Sequence, residues 1–543
     1  MSPEMEDSTP VLKSSPASRS RLRWEFAALF VLLAVGAWLR LYHLDQYPLG
    51  VHHDELSNMY DGWSIAETGA DRFGARYPIV ERNYGENDYR PAMYSWLDAL
   101  TIKLSGFSVT AGRLPAAILG IASLILIYSF AMTAGGGPFA LLALVLAVLS
   151  PLHIQYSRIA HEGAMLPAFF VILILWLWQR AALKQFPLLR TIALGLAVGL
   201  SANAYQASKL TAFLFAVVIG IHILMRGRIK AAALVAFAVG AFLGALPQVI
   251  VLFTQTHQFF ARAKLLSVQA DNPVSYVAAV LWNFWLNLEP RYLFIPRGYS
   301  DLSIARLLPP EILFFYAGLI GLAFIALRRG AEPKWQIYVA LVISMLPAAL
   351  TTGNPNTLRS SGMAVLTPLI SAAGILWIAR SFARRPALQR IYYPTVAAVL
   401  VLSAGAIIYR YSRSILFREA YYQNFLVHLD SALGKKQKDY DAVIIENYGS
   451  QRYMYVASFT RMHPREFQRA KKVILSEGMD RFRQLGKYYF AWPSTMQRTA
   501  DELSSNSARI LYVSRVPLRG LHPIDSVSWQ TEKAYFLVRD GAE

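Results

Sequence analysis

Apolar residues run along this chain in long stretches separated by short charged segments. A helix needs roughly 20 consecutive apolar residues to cross the hydrocarbon of a bilayer. Eleven stretches come close to that length, near residues 24–44, 113–133, 137–153, 164–179, 190–206, 209–225, 231–253, 310–327, 335–350, 362–379 and 391–409. The segments between them carry other periodicities. In 45–112, Leu56, Met59, Tyr60 and Trp63 recur at helical spacing, with Gly69 placed to close the helix. A second run begins at Pro91 and aligns Met93, Trp96, Leu97, Leu100 and Leu104 ahead of Gly106. Both read as amphipathic helices lying on the membrane surface. The aromatic segment 254–309 offers a third, Val274–Leu288. Beyond 410 the pattern shortens to strand-like runs, Asp441–Ile445, Tyr488–Trp492, Arg509–Val513 and Ala534–Val538, among helical stretches such as 416–432. That alternation predicts a small soluble α/β domain. The expected organisation is an α-helical polytopic membrane protein: a disordered cytoplasmic tail (1–23), a transmembrane domain (24–410) and a soluble α/β domain (411–543).

Composition supports this reading. The 543 residues are 16% charged, against about 25% in soluble proteins. A net charge of +19 would suggest nucleic acid as partner of a soluble chain, but no nucleic-acid-binding motif accompanies it. Much of the excess lies in alternate short loops: Arg19/Arg21/Arg23, Arg180/Lys184/Arg190, Arg226/Arg228/Lys230, Arg328/Arg329/Lys334 and Arg380/Arg384/Arg385/Arg390. The positive-inside rule makes these cytoplasmic, facing anionic membrane lipids. The expected setting is multi-pass in the plasma (inner) membrane, with the N-terminus cytoplasmic. Residues 45–112, 151–163, 254–309, 351–361 and the C-terminal domain then face the extracytoplasmic, or periplasmic, side. The Trp24–Trp38 run lacks a small-residue cleavage site, so an uncleaved first span is expected. The absence of cysteine excludes disulfides and thiolate metal sites.

The predicted spans hold almost no ionisable residue in their interiors. Transporters and flippases usually need such groups within the bilayer, so transport is the weaker reading. A non-catalytic scaffold of envelope-glycan assembly is a further alternative, one that would be indifferent to Asp54. The charges gather instead at the outer rim: His52, His53, Asp54 and Glu55; Glu81, Asp88 and Arg90; Arg158, His161 and Glu162; Lys209; Glu289, Arg291 and Arg297; Arg359.

Transfer of a sugar from a polyprenyl phosphate fits that distribution. The leaving phosphate is a weak base and needs cations, while the acceptor hydroxyl needs one carboxylate as general base. A glycosidase would need a carboxylate pair. Asp54 is the candidate base, kept ionised by the helix start it precedes, with Glu55 as its catalytic partner. Arg158, Lys209, Arg359 and Arg291 are candidate ligands of the donor phosphate. Asp88, Arg90, Glu162, Tyr84 and His53 are candidates for the acceptor pocket. Plainer roles stand beside these: helix capping for Glu55, snorkelling for Arg158 and Lys209, and the interface belt for Tyr84. Asp54 and Glu162 could also hold a hard divalent cation, Mg2+ or Mn2+, which prefers oxygen ligands. The adjacent His52 and His53 point in different directions, so an interfacial role is expected for them.

The order of these features resembles the GT-C superfamily, in particular the dolichyl-phosphate-mannose–protein mannosyltransferases and the lipid A aminoarabinose transferases. The residues that carry the resemblance are His53-Asp54-Glu55 after span one and Asn87-Asp88-Tyr89-Arg90-Pro91 before the second amphipathic helix. Ser150-Pro151 with Ser157-Arg158 and Glu162, then Glu289-Pro290-Arg291-Tyr292-Leu293-Phe294 with Gly298, and Arg359 with Pro368 and Gly374 complete the series. Two positions depart from the family pattern: Ala92 replaces a second proline, and Glu162 replaces an aspartate. The resemblance spans residues 24–410. It implies a GT-C-like fold, a polyprenyl-phosphate-sugar donor, a glycan, lipid or protein acceptor, inversion at the anomeric carbon, and Asp54 as base.

Overall fold

The computed structural model describes residues 16–85, 87–295, 305–326, 334–413, 423–449, 451–477, 479–504, 509–529 and 532–539. Helices dominate as far as residue 413: α1 (Pro16–Leu41), α2 (His53–Thr68), α3 (Met93–Ser105), α4 (Val109–Leu149), α5 (Pro151–Tyr156), α6 (Met165–Ala182), α7 (Leu188–Ser201), α8 (Ser208–Arg226) and α9 (Lys230–Thr254). There follow α10 (Thr256–Leu266), α11 (Pro273–Leu286), α12 (Pro290–Phe294), α13 (Glu311–Ala326), α14 (Lys334–Ala349), α15 (Met363–Ser381) and α16 (Pro386–Arg413). Each of the eleven apolar stretches overlaps one of these helices, and α4 holds two of them, divided at Gly136 (φ 79°). The halves of α4 lie side by side, since Gly36 of α1 abuts both Leu124 and Val148. Among the described residues, seven helices are long and apolar enough to cross a membrane, and three more are apolar but shorter. The expected tail reaches into α1, which starts at Pro16, while residues 1–15 lie outside the described set.

Small residues set the tightest helix contact. Gly195 and Gly199 of α7 face the backbone of α9, and Gly240 and Gly244 of α9 face that of α7. A β-carbon at any of the four would collide with main chain, so the four-residue glycine spacing lets the two helices approach.

The segment between α1 and α4 departs from expectation. A β-hairpin, β1 (Val80–Gly85) with β2 (Asp88–Pro91), stands between its two helices. Helix α2 forms as predicted, with His52 as N-cap, a His52–Glu55 capping box and Gly69 (φ 71°) at its C-cap. It is not a surface helix, however: Glu55 through Gly62 are buried on all sides. Helix α3 does show an apolar face outward, with Trp96, Leu100 and Leu104 exposed. Helix α11 has no buried residue and presents Val274, Leu281, Trp282 and Trp285.

The C-terminal domain comprises helices α17 (Asn424–Lys436), α18 (Arg452–Phe459), α19 (Pro464–Arg469) and α20 (Pro493–Ser504) and strands β3 (Ala442–Glu446), β4 (Lys472–Glu477), β5 (Met479–Leu485), β6 (Tyr488–Ala491), β7 (Ile510–Ser514), β8 (Leu521–Trp529) and β9 (Glu532–Arg539). They form one seven-stranded sheet in the order β4-β5-β6-β3-β7-β9-β8. Its centre, β6-β3-β7, is parallel; the flanking pairs are antiparallel. The four predicted strands are β3, β6, β7 and β9. Helices α18 and α19 pack on α2, so the soluble domain rests on the first loop.

Candidate active site

The site begins at the N-terminus of α2. The backbone there is held at successive atoms: the His52 amide donates to Glu55 Oε1 (3.1 Å), the Asp54 amide donates to His52 Nδ1 (3.2 Å), and the Tyr84 hydroxyl donates to the His53 carbonyl. The Asp54 carboxylate meets the segment after α5, where His161 Nε2 lies 3.6 Å from Oδ2. On the other side of the ring, Nδ1 lies 3.4 Å from Glu162 Oε2 and 2.9 Å from the Gly163 amide. Asn58 Nδ2 donates to the same Glu162 oxygen at 2.8 Å, and Arg90 stands 3.9 Å away.

Electrostatics follow from this packing. Burial opposes charge on His161, but Glu162 and then Asp54 outweigh it and raise its pKa to about 9. The ring therefore favours the imidazolium form at neutral pH, with a proton on each nitrogen, one toward each acid, so that Nδ1 gives up its acceptance from the Gly163 amide. Burial likewise opposes charge on Asp54, yet the neighbouring imidazoles of His53, His161 and His52 hold its carboxyl well below the usual range. Glu162 is also lowered, because His161 and Arg90 overcome its burial. Sequence reasoning placed His161 at the rim and gave it no role; the structure makes it the link between the two acids.

Beside this cluster opens a cavity of about 500 Å³. Tyr205 joins the two, its ring edge-on to His161 with centroids 6.5 Å apart on one side and lining the cavity on the other. The walls are largely apolar, with Leu210, Phe213, Phe260, Leu266, Pro347 and Leu350 among them. Three basic side chains line it: Lys209, Arg262 and Arg359. Lys209 lies over the Phe259 ring (4.1 Å) and donates to the Phe259 carbonyl. Arg359 donates to Thr351 Oγ1 (2.9 Å). Arg262 is ion-paired with Asp88, whose other oxygen accepts from Asn83 (3.2 Å). The Gln206 side chain donates to the Tyr89 carbonyl, tying the β-hairpin to the cavity wall.

The sequence-derived candidates separate accordingly. Asp54 and Glu162 come together, as do Lys209 and Arg359, with Asp88 reaching the same cavity through Arg262. Arg90 pairs with Glu81 (2.6 Å) and Asp61 (3.1 Å), and its Nη1, buried without a hydrogen-bond partner, faces Glu162 at 3.9 Å. Tyr84 and His53 shape the helix start and do not line the cavity. Three expectations are corrected. Arg158 is no phosphate ligand, because its guanidinium donates to the carbonyls of Leu39, Tyr42, His43 and Tyr47. Glu55 has no oxygen left for substrate: Oε2 accepts from Arg113 Nε (3.0 Å) and the Ala160 amide (2.9 Å), and Oε1 from the His52 amide and Arg113 Nη2 (3.3 Å). Arg291 is exposed on α12 and does not line the cavity. Arg297 and Gly298 lie outside the described residues. Arg262 was missed; its signal was a basic residue in the amphipathic stretch Thr256–Leu266 of the long loop 254–309.

The expected oxygen-rich cation site does not fit as drawn. Asp54 and Glu162 face each other across His161, not across a gap. The donor atoms that do cluster, within 4.8 Å of one another, belong to His52, His53 and Asp54. Two imidazoles and one carboxylate form a nitrogen-rich set, unlike the all-oxygen shell that Mg2+ prefers. The two rings do not diverge: they overlap at 3.8 Å between centroids.

A polytopic helical fold with acids and cations meeting at one end of the bundle, capped by a soluble α/β domain, is the architecture of GT-C-type membrane glycosyltransferases, and this chain resembles them. Residues 89–251 match the family model of dolichyl-phosphate-mannose-protein mannosyltransferase. Among solved structures, ArnT from Cupriavidus metallidurans bound to undecaprenyl phosphate is similar over 95% of this chain and 98% of its own, at 10% identity and a TM-score of 0.59. The apo state of the same ArnT gives 12% identity, coverage of 96% and 98%, and a TM-score of 0.55. The likeness to both is one of fold. No curated protein matches by sequence.

Proposed function

We propose that this chain transfers a sugar from a polyprenyl-phosphate donor to a hydroxyl of an extracytoplasmic acceptor, with inversion at the anomeric carbon. The observation that carries the reading is the apolar cavity with three basic side chains at its wall, joined through Tyr205 to the His161-linked acids Asp54 and Glu162. Lys209, Arg262 and Arg359 take the donor phosphate, and the aromatic and aliphatic walls take the first isoprene units. The acceptor oxygen attacks the anomeric carbon from the face opposite the phosphate. The bond from that carbon to the phosphate oxygen breaks, and its electron pair leaves with polyprenyl phosphate, where the cations balance the developing charge. The acceptor proton passes to Asp54 as the new bond forms. A low pKa makes Asp54 a weak base toward a free hydroxyl, so transfer occurs late, when bond formation has acidified that hydroxyl. The His161 imidazolium holds Asp54 in its ionised form, and Glu162 holds His161. The fold shared with ArnT, crystallised with undecaprenyl phosphate, supports this donor class, and the basic alternate loops support an outward-facing site.

The test is incubation of the purified protein with a panel of polyprenyl-phosphate sugars, wild type against Asp54→Asn. Acceptor-dependent sugar release that falls by at least about a hundredfold in the variant is expected. Equal turnover by both proteins would overturn the assignment of the base.

A further inference from the structure

The catalytic helix depends for its position on the domain that follows the membrane bundle. Six hydrogen bonds of the C-terminal domain reach the segment around α2, one of them from Arg465 Nη2 to the Glu67 carbonyl at 3.5 Å. The Tyr455 hydroxyl, on α18, donates to the Val51 carbonyl at 2.7 Å. The Met462 carbonyl accepts from the Tyr60 hydroxyl at 2.7 Å. Gln468 Nε2, on α19, donates to Ser64 Oγ, Thr68 Oγ1 and the Asp71 carbonyl at 2.9–3.0 Å. Five of these six grip α2 and the turn after it. Tyr455 alone reaches the residues that lead into Asp54.

That contact completes a pattern. With the His52 amide on Glu55, the Asp54 amide on His52, the His53 carbonyl on Tyr84 and the Gly50 carbonyl on Arg113, the Val51 carbonyl is the anchor of this turn that the C-terminal domain supplies. Tyr84 is itself backed by Tyr453, two residues before Tyr455, with ring centroids 6.4 Å apart, and Tyr453 stacks on Phe482 of β5 at 3.8 Å. The soluble domain thus supports both carbonyls that flank His52. Tyr455 is fully buried. A hydroxyl there would be costly without its acceptor, and a phenylalanine would fill the same space, so the hydroxyl is needed for the bond it makes.

We propose that Tyr455 is a positioning residue, through which the C-terminal domain sets the approach of Asp54 to the acceptor hydroxyl. The claim rests on the glycosyl-transfer reading for its kinetic consequence, but not for its structural one. Tyr455→Phe removes the bond to Val51, and Tyr60→Phe removes a bond of equal length and burial between the same two bodies, two turns away from Asp54. Both variants are therefore expected to lower the thermal midpoint similarly. Only Tyr455→Phe is expected to lower kcat, by about tenfold, the loss of one neutral hydrogen bond's worth of positioning, with KM for the polyprenyl-phosphate donor within about twofold. In the full-length protein without substrate, hydrogen exchange at the amides of residues 51–58 should rise in Tyr455→Phe and stay at wild-type level in Tyr60→Phe. Unchanged exchange in Tyr455→Phe, or equal kcat losses in the two variants, would overturn the proposal. Wild-type protein that turns over no donor in the panel, with exchange behaving as described, would refute the function and leave the positioning intact.

Discussion

Replacing Glu55 by glutamine removes one charge and keeps the shape, so its effect can be worked out atom by atom. Each carboxylate oxygen accepts two hydrogen bonds: Oε2 from Arg113 Nε and the Ala160 amide, Oε1 from the His52 amide and Arg113 Nη2. Whichever oxygen becomes the amide nitrogen, two donors then face a donor, and one of them belongs to Arg113. Arg113 is fully buried, and this carboxylate is the acid it meets at 3.0 Å. Removing one partner of a buried ion pair costs about 3–5 kcal/mol. Arg113 keeps its bonds to the carbonyls of Leu44, Pro48 and Gly50, which places the loss near the lower end, ~3 kcal/mol. A native stability of about 5–15 kcal/mol leaves such a variant folded but weakened. Because Glu55 also joins α2 to Ala160, just ahead of His161, the variant should lose turnover through Asp54 as well. The assay is equilibrium unfolding of the detergent-purified protein, followed by intrinsic fluorescence, alongside turnover at saturating donor. A variant within about 1 kcal/mol of wild type would refute the account of Glu55 as the joint between the two acid-bearing loops.

Other outcomes follow from the same geometry. His161 has its pKa raised to about 9 from an unfolded value near 6.5; the stability it contributes is full below about pH 6.5 and is lost as pH rises through about 9. Thermal midpoints at pH 6 and pH 9.5 should differ in wild type and differ less in His161→Gln. Arg262→Met removes a cation from the cavity wall and leaves Asp88 without its partner; KM for the donor should rise about tenfold or more, and a change confined to kcat would remove Arg262 from the phosphate site. Gly199→Leu forces side-chain atoms into the α9 backbone, so a destabilisation of at least about 1–3 kcal/mol is expected, visible as a lower midpoint or failure to recover folded protein. A variant as stable as wild type would mean that α7 and α9 are not packed through their glycines.

What the sequence determined by itself was whatever depends on local composition and period. The apolar stretches had to become helices, since a backbone in hydrocarbon must satisfy its own hydrogen bonds, and the strands β3, β6, β7 and β9 showed themselves as compact apolar runs in the domain centre. The strands that escaped, β4, β5 and β8, lie at the sheet's flanks, where one face is wet and the apolar period is diluted; β8 is exposed along most of its length. Asp54 drew attention as an acid at a helix start close after the first span, a position that also suits an acid for structural reasons. The partners of that acid were decided only by tertiary structure. Arg158 and Arg262 are equally good cations on paper, yet one is closed in by four carbonyls at and just after the end of α1 and the other faces the cavity. Glu55 and Glu162 are equally acidic, yet one neutralises a buried arginine and the other completes the acid cluster. Which donor meets which acceptor across a hundred residues depends on how helices pack, and no local pattern carries that information.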